Sequence, residues 1–284
     1  IVKKENWIYL NDKNEKSNVN LEDFSIISNN TKIKLEIAFI IIHGSPGENG
    51  LIQSYFELKN IPYTGCDPYT SALTFNKKDC LSVLEKYNIP TANSFHINKN
   101  ENFKIESIIQ KVGLPCFVKA NRSGSSFGVF KVYEENELKK SINKALDYDD
   151  EVLIESFLDG IEVSVGVMNY QNKVKVFGIT EIITENDFFD YDAKYNGNSK
   201  EITPANISEK QKQIVTNLSI KIYKKLGMKG FTRSEFIIIN DIAYFLEINS
   251  IPGMTNESIF PKQAQTSGIS ITQLCDEIIN QATI

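Results

Sequence analysis

Two consecutive apolar runs near the carboxyl end, FTRSEFIII and IAYFLEIN, constrain this chain more than any other part of it. They read as adjacent strands over 230–239 and 242–249. Residues two apart in a strand point to one side. Glu247 and Asn249 therefore face together, as do Arg233 and Glu235 on the neighbouring run. Two carboxylates, an amide and a guanidinium are thus aimed at one spot, just before Pro252–Gly253 breaks the chain. Hard oxygen ligands of this kind suit Mg²⁺, which takes one or two carboxylates together with phosphate oxygens. Any one of the four could be an ordinary charge on a solvated strand end; the four together favour a site.

The rest of the chain alternates in kind. LEIAFIII (35–42) reads as a buried parallel-type strand, followed by the glycine loop HGSPGENG, a helix over LIQSYFELKN and a short strand at IPYTG. That order is an α/β unit. A helix is predicted over 76–88, a strand over 115–121, a Gly/Ser loop, and a second strand at VFKVY. Further on come a helix from ENELKKSINKALDYD, the strand EVLIESFL, and a β pair from IEVSVGVMNY and KVKVFGITEII. Residues 184–204 have no clean period, and loops of that length are commonly functional. A helix is expected over 209–226. Boundaries near 75 and 155 divide the chain into 1–75, 76–154 and 155–284. The chain opens without Met, and its first unit, holding about one strand–helix–strand, is expected to be incomplete at its start.

At 284 residues a sizeable core can form. A formal charge of −5 excludes a general nucleic-acid coat, so any anionic ligand must be held by a few placed cations. The longest apolar run, Ile37–Ile42, is too short to span a bilayer, and the first ten residues do not resemble a signal peptide. Four scattered cysteines fit reduced thiols in the cytoplasm, and two histidines exclude a multi-His metal site.

Lys119 lies inside the apolar strand PCFVKAN, where a buried unpaired ammonium is costly, so an anionic ligand is its natural partner. The adjoining loop, with Ser125 and Ser126, offers hydroxyls and backbone N–H groups for phosphate. No G-x-x-x-x-G-K-[ST] is present, which excludes a P-loop. Lys77 begins a helix, where the dipole mildly disfavours a cation, and is a second phosphate candidate beside the plain reading of a solvated lysine. In FFDYDAKY, Lys194 and Tyr195 belong either to a self-packed surface loop or to a lid that reaches phosphate and substrate. Glu155, Phe157, Leu158 and Glu162 end a strand and follow a turn, where carboxylates and backbone groups could read a nucleoside. His43, between a strand and a glycine turn, is either a packing histidine or a substrate contact.

Taken in order, HGSPGENG, PYTG…SALTFNK, PCFVKANRSGSSFGVFKV, EVLIESFLDGIEV, FFDYDAKY, RSEF and LEINSIPGMTNESIFP make the chain resemble the D-alanine–D-alanine ligases of the ATP-grasp superfamily, from about Trp7 onward. The resemblance implies an α/β fold: a partial Rossmann-like amino-terminal domain followed by two α+β ATP-grasp subdomains. It implies ligation of two D-alanines for peptidoglycan synthesis, with ATP and one or two Mg²⁺ (Mn²⁺ as a substitute), in a cytoplasmic homodimer with no nucleic-acid or membrane partner. Carried over by position, Glu235, Glu247 and Asn249 look like metal ligands, and Lys77, Lys119, Ser125, Ser126 and Lys194 like phosphate contacts. Glu155, Phe157, Leu158 and Glu162 fall where adenosine is held, and His43 and Glu48 on the side of the first substrate. Arg233 and the Gly253 amide look like oxyanion donors, Ser258 like a holder of the second carboxylate, and Tyr195 like a feature of dipeptide-forming members.

Three departures stand out. Glu235 replaces the family's usual Asp, and Asn49 sits where Asp is common. If the protein begins at Ile1, it lacks the strand, glycine turn and acidic residue that open the family, and ATP binding is then expected to survive better than substrate binding. Two alternatives stay open: an ATP-grasp ligase for another amino acid pair, and a nucleotide-binding relative without ligase activity.

Overall fold

A computed structural model describes residues 7–28, 30–184 and 199–282. The first of its three sheets is a meander of short antiparallel strands, β1 (Ile8–Leu10), β2 (Lys16–Asn20), β3 (Ser25–Ser28) and β4 (Thr31–Lys34), in that order. Trp7 and Phe24 pack against helix α1 (Leu51–Leu58), with Trp7–Tyr55 ring centroids at 4.9 Å and Phe24–Phe56 at 5.1 Å. Sequence patterning missed this sheet. Its strands are only three to five residues long and rich in Lys, Asn and Ser, so they carry almost no apolar period.

The run 35–42 differs from the buried strand predicted for it. It forms a single isolated bridge, Ala38 to Tyr63, though the bridge is parallel, as expected. Ala38 N donates to Pro62 O at 2.9 Å and Thr64 N to Ala38 O at 3.0 Å. The ladder stops there because the Ile40 amide donates to the Thr64 side chain at 2.9 Å instead of to backbone. Alternate residues Ala38 and Ile40 are buried with Ile52, Phe56, Ile61 and Tyr63, while Ile41 is exposed.

Helix α2 (Pro68–Phe75) starts on Asp67, whose side chain accepts from Thr70 N, with proline at its first position. Helix α3 (Lys77–Glu85) starts on Asn76 in the same way. The second sheet comprises β5 (Ser94–Asn98), β6 (Cys116–Ala120), β7 (Val129–Val132) and β8 (Glu151–Ser156), ordered β5-β8-β6-β7. One face is covered by α4 (Ile105–Val112) and α5 (Glu135–Ala145), which bury Ile108, Leu138 and Ile142 against Ile97, Val118 and Ile154. Cys116, Val118 and Ala120 point into that core, so the period-two rule sends Phe117 and Lys119 to the opposite face.

The third sheet is ordered β11-β10-β9-β12-β13, from β9 (Ile161–Tyr170), β10 (Lys173–Thr184), β11 (Ser199–Ile202), β12 (Phe231–Ile239) and β13 (Ile242–Asn249). The hairpins β9–β10 and β12–β13 close through Gln171–Asn172 and Asn240–Asp241, all four with positive φ, the backbone that two-residue hairpin loops demand. Helix α6 (Glu209–Lys225) carries a Ser208/Gln211 capping box and lays Val215, Ile222 and Tyr223 on Val163, Val165, Phe236 and Phe245. Across the sheet, α7 (Ile259–Thr266) and α8 (Ile271–Asn280) bury Phe260 and Leu274 with Met168, Phe177 and Phe231. Among the described residues no helix is long and apolar enough to cross a membrane.

Candidate active site

The uncovered face of the second sheet and the third sheet bound a cleft of about 490 Å³. A second cleft, of about 570 Å³, opens toward the loop 43–48 and the start of α7. The two share a wall made of Lys77, Ser123, Gly124, Ser125 and Glu247.

The two runs are adjacent strands, as expected, and their register sets Arg233 opposite Asn249 and Glu235 opposite Glu247. The register then shifts at Glu235/Phe236, and this bulge lets Leu246 line the first cleft beside Glu247. Arg233 Nη2 lies 3.1 Å from Glu235 Oε1, and Lys77 Nζ lies 3.4 Å from Glu247 Oε2. Each acid thus has a cation beside it. Two carboxylates and the Asn249 amide on paired strands fit a hard divalent cation that completes its shell with phosphate oxygens. Among the described residues no group of three or more His, Cys, Asp or Glu gathers into a metal site of its own.

Lys119 finds its counter-charge within the protein, where sequence reading expected a ligand. Its Nζ lies 2.6 Å from Glu155 Oε2, with side chains 16% and 3% exposed. Burial pushes the ammonium pKa down, but the charge and hydrogen bond of Glu155 outweigh it and the net direction is up, so Lys119 stays a cation. Glu155 Oε1 is buried with no partner among the described residues, an acceptor waiting for a donor. Phe117 and Phe157 line the same cleft with ring centroids 6.1 Å apart, and Lys131 Nζ sits 4.1 Å from the Phe157 ring centre, a cation–π contact.

Ser125 and Ser126 adopt left-handed backbone (φ 50° and 59°), which turns the loop over the shared wall, and Lys77 Nζ donates to Ser123 O at 2.6 Å. The first cleft therefore collects Lys77, Lys119, Ser125, Ser126, Glu155 and Glu162, with Phe157, Leu158, Glu235 and Glu247. The second collects His43, Glu48, Arg233, Asn249, Gly253 and Ser258. Lys194 and Tyr195 lie outside the described residues.

His43, at the mouth of the second cleft, has its pKa lowered by desolvation and then by the Arg233 charge, which leaves a neutral ring near pH 7. Glu48 is buried and accepts from Gly44 N at 2.6 Å. Desolvation raises its pKa against the pull of that amide, with Glu247 adding to the rise and Lys77 opposing it. A carboxyl with folded pKa above its unfolded value contributes stability at low pH and loses it as pH rises through the folded pKa. Glu48→Gln is therefore expected to raise Tm more at pH 8 than at pH 5; melting curves at the two pH values check this, and an equal shift at both would refute it.

Gly253 is packed tightly. A Cβ there would lie 2.6 Å from Ser258 Oγ, 3.2 Å from Ser258 Cβ and 3.8 Å from His43 Nε2. Ser258 precedes α7 and shares a 2.9 Å hydrogen bond with Thr255 Oγ1. Gly253→Ala must displace Ser258, and is expected to weaken binding of a small ligand in the second cleft on the order of 10-fold while binding in the first cleft changes little. Parallel ligand titrations read the two affinities.

Three contributors escaped the sequence reading. Glu181 lines the first cleft, and a carboxylate within the apolar run KVKVFGITEII was a signal of the kind that flagged Lys119. Arg122 lines the second cleft, held by both oxygens of Asp149 (Nη2–Oδ1 2.6 Å, Nε–Oδ2 3.1 Å). Ser123 contributes a carbonyl, which no side-chain pattern reveals.

A cleft between two antiparallel sheets, with Lys77 and Lys119 set among strand-borne carboxylates and a Ser/Gly loop over it, is the ATP-grasp architecture. Residues 2–66 match the sequence model of the D-ala D-ala ligase N-terminus and residues 83–280 that of the D-ala D-ala ligase C-terminus. A D-alanine–D-alanine ligase of Flavobacterium johnsoniae is 52% identical over 271 residues, covering 95% of this chain and 84% of that protein. One of Christiangramia forsetii is 50% identical, covering 97% and 85%. Among solved structures, D-alanyl-alanine synthetase A of Vibrio cholerae superposes with a TM-score of 0.85 at 28% identity, covering 98% of this chain and 85% of that one. The VanG D-Ala:D-Ser ligase of Enterococcus faecalis gives 0.82 at 32%, covering 95% and 80%. The chain belongs to the D-alanine–D-alanine ligase family.

Proposed function

We infer that this chain joins two D-alanines at the expense of ATP, through an acyl phosphate, to supply D-alanyl-D-alanine for peptidoglycan. The observation that carries the reading is the shared wall. Lys77, the 123–125 loop and Glu247 border both clefts, so a γ-phosphoryl group and an amino-acid carboxylate can meet there. Family membership supports the same reaction.

In this reading Glu155, Phe157, Leu158 and Glu162 hold adenosine. Lys77, Lys119, Ser125 and Ser126 hold the phosphates, with Lys194 added from the segment before β11. Glu235, Glu247 and Asn249 would hold Mg²⁺, one or two ions with Mn²⁺ as substitute, whose chemistry is to offset polyphosphate charge. His43 and Glu48 hold the first D-alanine. Its carboxylate oxygen attacks the γ-phosphorus, and ADP leaves. The amine of the second D-alanine, held through its carboxylate at Ser258 and with Tyr195 assigned to the same substrate, then attacks the acyl carbonyl. The tetrahedral oxyanion draws on Arg233 and the Gly253 amide, and its collapse expels phosphate and leaves the dipeptide. The divisions 1–75, 76–154 and 155–284, a cytoplasmic location and a homodimer belong to the same proposal.

The test is ATP-dependent phosphate release with D-alanine, with L-alanine, and with D-alanine plus D-lactate or D-serine, each with and without Mg²⁺. D-serine is included because one structural relative is a D-Ala:D-Ser ligase. Release that needs D-alanine and Mg²⁺ and yields the dipeptide is expected. Release that ignores D-alanine, or no release by a chain that still binds ATP, would overturn the reading.

A further inference from the structure

The start of α3 is capped mainly by the residue that follows β6. Asn121, one residue beyond β6 and 1% exposed, supplies most of the cap. The first amide of the helix, Lys77 N, points at Asn121 O (3.4 Å), and the second, Lys78 N, donates to Asn121 Oδ1 at 2.8 Å. The third, Asp79 N, donates to Asn76 Oδ1 at 3.1 Å. That same Asn76 oxygen accepts from Asn121 Nδ2 at 2.8 Å, which fixes which way the capping amide faces. The Asn121 Nδ2 group also donates to Glu151 Oε2 at 2.9 Å, and Glu151 Oε1 pairs with Lys78 Nζ at 2.5 Å. Asn121 N donates to Glu151 O at 3.0 Å. One buried amide thus uses its acceptor and both donor directions, joining the start of α3 and its N-cap to β8.

Its location gives this network a consequence for the site. Asn121 lies two residues after Lys119 and two before Ser123, whose carbonyl accepts from Lys77 Nζ. The next residue, Arg122, is clamped to Asp149 by its backbone amide (2.6 Å) and its guanidinium. We propose that Asn121 is a positioning residue for nucleotide. By capping α3 in trans it locks Lys77, Lys119 and the 123–126 loop into one rigid unit, so that both lysines and the loop meet the same polyphosphate at fixed spacing. Shape and chemistry are both required. Aspartate keeps the acceptor for Lys78 N but cannot donate to Asn76 and sets a second carboxylate against Glu151; alanine keeps only the two backbone contacts.

The inference rests on the ligase reading for its substrate but is tested by nucleotide affinity alone. Titration calorimetry with ADP and Mg²⁺ would compare wild type with Asn121→Ala and Asn121→Asp, beside KM for ATP and for D-alanine. Both variants are expected to bind ADP on the order of 10-fold more weakly, with KM for ATP rising in step and KM for D-alanine nearly unchanged. Asn121→Ser, which retains a small donor–acceptor, replaces any variant that fails to fold and should fall between. Unchanged ADP affinity in folded variants would overturn the proposal. So would equal losses for both substrates, since that is what a general loss of stability produces. A wild-type chain that binds ADP yet forms no dipeptide would refute the ligase reading while leaving the affinity comparison intact.

Discussion

Arg233→Ala, on the proposed role of Arg233 as an oxyanion donor, is expected to lower kcat by about 10²–10³, the usual cost of removing one such donor. The guanidinium is 19% exposed and faces the second cleft from β12, and its Nη2 balances Glu235 at 3.1 Å. Its Nε is buried with no acceptor among the described residues, a donor held ready where charge would develop. Alanine would also strip Glu235 of its counter-charge, so Arg233→Lys is the sharper probe. Lysine keeps the cation but not the planar fork. The lysine variant should hold ADP with near wild-type affinity and still lose most of kcat. Steady-state kinetics beside ADP titrations separate the two quantities, and a lysine variant with normal kcat would remove Arg233 from the chemistry.

The second large effect is on stability and nucleotide binding together. Lys119→Ala leaves Glu155 charged, buried and without its one ion-pair partner among the described residues. Breaking a buried pair from one side costs about 3–5 kcal/mol, whereas replacing both partners by neutral groups of similar shape is often nearly neutral. The double variant Lys119→Met/Glu155→Gln should therefore recover most of the stability lost by Lys119→Ala in urea unfolding. It should not recover ATP binding, because the cation proposed to meet the phosphates is still missing. A double variant as unstable as the single one would show that the ion pair is not the origin of the loss.

Much of the site was legible because it is written in strand periodicity. Arg233, Glu235, Glu247 and Asn249 sit at spacing two within apolar runs, and any pairing of the runs that aligns them makes a polar spot. Lys119 stood out for the same reason, as a charge in an otherwise apolar strand. Its partner was not legible. Glu155 belongs to β8, and only the sheet order β5-β8-β6-β7 brings it beside β6. The opening meander was missed because short polar strands take their order from neighbours and from the Trp7–Phe24–Tyr55–Phe56 cluster. The single bridge at Ala38 was over-read as a strand because a continuous apolar run reports burial, and says nothing of how many hydrogen bonds a neighbour returns.

The sequence by itself determined the local facts: which side chains share a face, where α1, α3, α5 and α6 lie and which loops are rich in glycine and serine, whereas α2, α4, α7 and α8 went unread. It also carried the family, through motifs spread along nearly the whole chain. These depend on backbone period, capping chemistry and residue type, all of which act over a few residues. Only the tertiary structure decided that Lys77 reaches Glu247, that Glu155 neutralises Lys119, and that Asn121 caps a helix begun far upstream. Those contacts join segments distant along the chain, and sheet order, register and the packing of helices on sheets set them.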